Sequence, residues 1–166
     1  MSCRVASISL ILLIFFLTGC KKADKMPTIS QLTYVSISGT LLPELQWHEE
    51  FIIRSDSITF TRSGNSNTSN VNTGSWQVPF DPATLSTLFE TLKNVDLSKI
   101  DRIEPVDQPD GGGSDSYALT YSNGKTWSLE YTNGATYING EWISQPVQEF
   151  IKGLQLPSEA VSRYKL

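Results

Sequence analysis

Cysteine is almost absent from this chain. The two that occur, Cys3 and Cys20, fall within the first twenty residues, so nothing after residue 20 carries a thiol. A disulfide framework, a cysteine nucleophile and a cysteine-ligated zinc site are therefore excluded from the body of the protein. Histidine is as scarce. His48 stands alone beside Glu49 and Glu50. Neighbours on a strand point to opposite faces, which argues against a triad or metal site built on it. Basic residues are few beyond the N-terminal stretch. From residue 28 onward there are nine Lys and Arg against sixteen Asp and Glu, a net charge of −7. Such a balance disfavours nucleic acid and a general attraction to anionic lipid surfaces. No long apolar run is present either. The longest, Val5 to Leu17, is interrupted by Ser7 and Ser9. As a helix it would rise about 20 Å, against a hydrocarbon core of about 30 Å.

That short run has the form of a signal-peptide core, with Arg4 before it and small residues after it. Leu17-Thr18-Gly19-Cys20 resembles the lipobox of bacterial lipoproteins. The resemblance implies a signal peptide over 1–19, cleavage before Cys20, and diacylglycerol and further acyl chains such as palmitate on that cysteine. Two or more chains hold a protein stably at a membrane, at about 0.8 kcal/mol per buried methylene. Membrane lipid is thus the partner expected through Cys20. Residues 20–30 read as a polar tether and 31–166 as one domain, long enough for a single core. Lys21 directly after the anchor points to the outer membrane of the cell envelope.

Two segments have helical periodicity. Asp81-Pro82 supplies an N-cap and a first-turn proline, and Leu85, Leu88, Phe89 and Leu92 form one stripe behind it. Ser144 is placed to cap a second helix, 144–154, with Pro146 in its first turn and Val147, Phe150, Ile151 and Leu154 on one face. The rest is strand-rich: 32–38, 51–54, 57–62 and 71–78, with a polar loop over 63–70. Asn-Gly occurs at 123–124, 133–134 and 139–140, each between aromatic or β-branched runs, a strong hairpin signal. At the first, a three-residue loop Ser122-Asn123-Gly124 pairs Leu119 with Trp127 and Tyr117 with Leu129. A two-residue turn would mix polar and apolar side chains on one face. The same logic at Thr132-Asn133-Gly134 pairs Leu129 with Tyr137. The expected fold is α+β, an antiparallel meander with two amphipathic helices packed on it.

No catalytic motif is visible, and no cofactor or metal is expected. The segments Tyr121 to Trp127 and Tyr131 to Tyr137 resemble aromatic cell-wall-binding repeats, but their spacing of ten is half that family's unit, so core hairpin aromatics fit better. The connection 95–115 carries six acids around Gly111-Gly112-Gly113. Asp107, Asp110 and Asp115 could meet a cationic group of a partner or Ca²⁺, although their spacing departs from an EF-hand and suits a solvated loop. Paired carboxylates for a hydrolase depend on the fold, not on spacing. By size and pattern the chain resembles small envelope lipoproteins of Bacteroidota-type bacteria. The order from Ile58-Thr59-Phe60-Thr61-Arg62-Ser63-Gly64 to the last helix is also similar to emfourin-type inhibitors of metalloproteases. The leading expectation is a non-enzymatic binding module with an envelope protein or glycan as partner. A peptidase inhibitor is the alternative, and a hydrolase using acidic residues the third.

Overall fold

The computed structural model describes residues 27–107, 111–132 and 134–165. Leu17-Thr18-Gly19-Cys20, Asp110 and Asn133 lie outside the described residues. The architecture is α+β. Strands β1 (Ile29–Ile37), β2 (Trp47–Arg54), β3 (Ile58–Gly64), β4 (Gly74–Gln77), β6 (Ser114–Tyr121) and β7 (Thr126–Tyr131) form one antiparallel sheet, ordered β4-β3-β2-β1-β6-β7. A separate two-stranded ribbon pairs β5 (Asp101–Ile103) with β8 (Thr136–Ile138). Helix α1 spans Pro82–Lys93 and α2 spans Glu141–Gly153, with a one-turn helix α3 at Ser158–Val161. Among the described residues no helix is long and apolar enough to cross a membrane.

Only one face of the sheet is covered by helices, and the strand alternation sorts side chains accordingly. Three rows run across that inner face, each set by cross-strand register. Leu119, Leu32, Ile53 and Ile58 form a buried aliphatic row. Next to it Tyr117, Tyr34, Phe51, Phe60 and Trp76 form an aromatic row across five strands, with successive ring centroids 5.0, 6.3, 4.5 and 5.6 Å apart. The third row is polar: Asp115, Ser36, Glu49 and Arg62. Helix α1 contributes Leu85, Leu88 and Leu92 to the core, and α2 contributes Ile143, Val147 and Phe150. At the start of α1 the Asp81 carboxylate accepts from the backbone N–H of Ala83 and Thr84. The Thr84 hydroxyl bond to it is the main reason its carboxyl is held below the ordinary carboxylate range.

The first Asn-Gly hairpin has the expected register. Tyr117 faces Leu129, Leu119 faces Trp127, and Gly124 has φ +80°. No atom lies within 4 Å of where a Gly124 Cβ would stand, so a substitution there meets only backbone strain. Gly124→Val should cost about 1–2 kcal/mol and Gly124→Asn less, because asparagine tolerates the left-handed region. Urea melts of both variants check this, and equal losses would refute it.

Three expectations need correction. Leu129 does not pair with Tyr137: β8 leaves the sheet and pairs with β5. Between β7 and β8 the Ala135 N–H donates to the Thr132 carbonyl and Ala135 is buried, so the chain does not continue along the β7 edge. Tyr137 returns with its side chain instead. Its hydroxyl accepts from the Glu130 N–H at 3.0 Å and lies 3.2 Å from the Glu130 carbonyl, while Arg102 donates to that carbonyl. A phenol and a guanidinium thereby occupy part of the edge that a further strand would use. Second, α2 starts at Glu141, after Asn139 at φ 59° and Gly140, so the third Asn-Gly opens a helix and Ser144 and Pro146 lie inside it. Third, the stretch 95–115 is not a bare connection, since it holds β5 and a 3-10 turn at Leu97–Lys99. Two strands also differ in extent. Strand β1 begins at Ile29, inside the segment read as tether, and the run read as 71–78 forms a strand only over Gly74–Gln77.

Candidate functional site

The polar row marks the end of the sheet where the core runs out. Glu49 stays in phase with Phe51 and Ile53 along β2, and Arg62 stays in phase with Ile58 and Phe60 along β3. Alternation therefore sends both charges to the inner face, directly opposite each other. The Arg62 Nε donates to Glu49 Oε1 at 2.7 Å, with side chains 3 % and 10 % exposed. Burial on that scale is costly unless every charge is answered. Arg163, from the C-terminal segment, supplies a second cation: its Nε and Nη2 donate to the two Glu49 oxygens at 3.0 and 3.1 Å. Its guanidinium stacks 4.1 Å from the Trp47 ring centroid, and its side chain is 43 % exposed.

The same segment is tied down along its length. Arg62 Nη1 donates to the Ser162 carbonyl at 2.8 Å, Asn72 N–H to the Arg163 carbonyl, and Lys165 N–H to the Asn70 carbonyl, beside a bridge between Val71 and Tyr164. It frames a groove of about 550 Å³ over the aromatic and polar rows, bounded by Tyr34, Trp47, Glu49, Arg62, Lys152 and Arg163 with Leu154 and Leu156. Tyr34 donates its hydroxyl to Asp115 Oδ1 at 2.9 Å. Burial, with the Asp115 and Glu49 charges adding to it, pushes that phenol up to about 12, so it remains a neutral donor. Burial raises Tyr117 as well, whose hydroxyl accepts from Gln148 Nε2 at 2.7 Å.

Other concave regions are less built. A groove of about 390 Å³ between Phe80 and Phe150 presents Asp81, already committed to capping α1. One of about 370 Å³ along α1 presents the exposed Glu90–Lys93 pair.

The acidic residues singled out from the sequence do not assemble on one surface. Asp115 lies on β6 within the polar row and answers Tyr34, whereas Asp107 is exposed in the connecting loop and Asp110 lies outside the described residues. Among the described residues no three His, Cys, Asp or Glu converge as metal ligands. His48 points away from Glu49, to the outer face, and is exposed. The paired Glu49 and Arg62 had a signal in the sequence, a charge in the buried phase of each of two neighbouring strands. Arg163 had none, being 114 residues from the carboxylate it binds.

No known family model, curated protein or solved structure matches this chain.

Proposed function

We propose that this protein is a lipid-anchored, non-enzymatic binding module of the bacterial cell envelope, probing its surroundings with the groove at the far end of the sheet. The observation that supports it is the placement of the two ends of β1. The tether enters at Ile29, where Thr28 is held by Ser122 through hydrogen bonds in both directions. Ser36, in the polar row beneath the groove, lies seven residues further on, about 23 Å along the strand. A domain fixed to a membrane through Cys20 would thus turn its groove away from the lipid. The groove's own chemistry favours binding over turnover. A hydrolase needs carboxylates free to exchange protons, but Glu49 is held by two guanidiniums and Asp115 by the Tyr34 hydroxyl.

Metabolic labelling with a fatty acid tests the anchor. The parent should take up label and be processed, whereas Cys20→Ser should carry none and keep the uncleaved precursor's mobility. Label on the variant would overturn the anchor assignment. Capture from envelope extract, read by mass spectrometry, tests the module: a bound peptidase whose activity falls on capture would replace this reading by inhibition.

A further inference from the structure

We infer that the groove recognises a carboxylate carried on an apolar, ring-sized body. The inference rests on the reading of the protein as a binding module and names the class of ligand. Three cations border the groove, Arg62, Lys152 and Arg163, against the single carboxylate of Glu49. Although the domain as a whole is acidic, this region is locally cationic, and that contrast indicates the sign of the ligand. Asp115, in the same polar row, sits across Ser36 with the Tyr34 hydroxyl upon it.

The guanidinium of Arg163 is held in place before any ligand arrives. Glu49 takes Nε and Nη2, and the Trp47 ring takes one face. Among the described residues Nη1 of Arg163 and Nη2 of Arg62 have no hydrogen-bond partner, which leaves donors over for an anion. A fixed guanidinium binds a planar carboxylate with little further loss of freedom. Lys152, exposed on α2, adds an ammonium that nothing in the core requires. The apolar part of the ligand is argued from the walls, where Tyr34, Trp47, Leu154 and Leu156 are each partly exposed. The groove's volume is about 550 Å³. Small-molecule sites span roughly 300–1,000 Å³ and combine apolar walls with a few converging polar groups, as this one does.

The test uses the full chain in detergent and the Trp47 indole N–H resonance, assigned by its loss in Trp47→Phe. N-acetylphenylalanine should shift this resonance saturably. Its amide, N-acetylphenylalaninamide, which lacks only the charge, should bind at least tenfold more weakly, and inorganic phosphate should bind more weakly than the acid. Lys152→Glu should weaken the acid at least fivefold with an unchanged melting temperature, which separates recognition from a structural role. Equal shifts by acid and amide, no shift by the acid, or phosphate matching the acid would each overturn the inference. If the acid fails while fatty-acid labelling and capture from extract persist, the ligand class is wrong and the binding module stands.

Discussion

Glu49→Ala should destabilise the protein by about 3–5 kcal/mol, the range expected when one partner of a buried ion pair is removed. The size follows from what would be left behind. Arg62 is 3 % exposed and packs 5.0 Å from the Phe60 ring centroid. Without Glu49 it keeps only the Ser162 carbonyl as hydrogen-bond partner among the described residues. A buried guanidinium cannot shed its proton to escape the penalty. Arg163→Ala should cost less, about 1 kcal/mol, since its side chain is 43 % exposed and water screens the pair there. The double variant Glu49→Leu with Arg62→Met should recover most of the loss, because removing both charges removes the desolvation that each had to answer. Urea unfolding of the three proteins, compared at equal slope, measures this. A Glu49→Ala protein within about 1 kcal/mol of the parent, the worth of an exposed pair, would mean that Arg62 reaches solvent by another route.

The parts of this fold that could be read in the sequence are those in which a local rule and the tertiary core agree. Asp81-Pro82 with a stripe at Leu85, Leu88 and Leu92 needed nothing distant, and α1 begins and faces as that pattern requires. At Ser122-Asn123-Gly124 the turn preference and the demand that Leu119 and Leu129 share a buried face select the same register. Agreement fails at the second and third Asn-Gly pairs. At the second, Ala135 is buried and the strand that follows pairs with a distant, acidic segment, and at the third the chain enters α2. The site was legible only by halves. Glu49 and Arg62 could be found by carrying the alternation of Phe51, Ile53, Ile58 and Phe60 one step further along each strand. The third member, Arg163, arrives through a terminal segment with no periodicity of its own, fixed by backbone bonds to Asn70 and Asn72.

The glycines of the acidic connection carry the second large effect, and it originates on the opposite loop. An added Cβ at Gly39 would stand 2.6 Å from the Gly112 carbonyl carbon and the Gly113 nitrogen, and 3.0 Å from the Gly112 Cα. These are backbone atoms, which cannot swing aside as a side chain can. The crowding follows from register. Ile37 of β1 pairs with Ser114 of β6, so the chain leaving β1 and the chain entering β6 run backbone against backbone just beyond that pair. A run of glycines that looks like free chain in the sequence is here a site of close approach. Gly39→Val should therefore cost at least about 3 kcal/mol, the upper end for overpacking, since the two loops must part and the terminal pairs of β1 with β6 must loosen with them. Gly112→Ala gives the contrast. Nothing lies within 4 Å of its Cβ, and only the φ of 134° opposes the change. That strain should cost about 1–2 kcal/mol. Urea melts rank the two variants, and hydrogen exchange at the amides of Ser114 to Ser116 locates the damage. Exchange should rise there in Gly39→Val, and with it the backbone that carries Asp115, the acceptor of the Tyr34 hydroxyl at the start of the polar row, should loosen. A Gly39→Val protein as stable as Gly112→Ala would show that the loops separate freely and that the glycine run contributes nothing to positioning the groove.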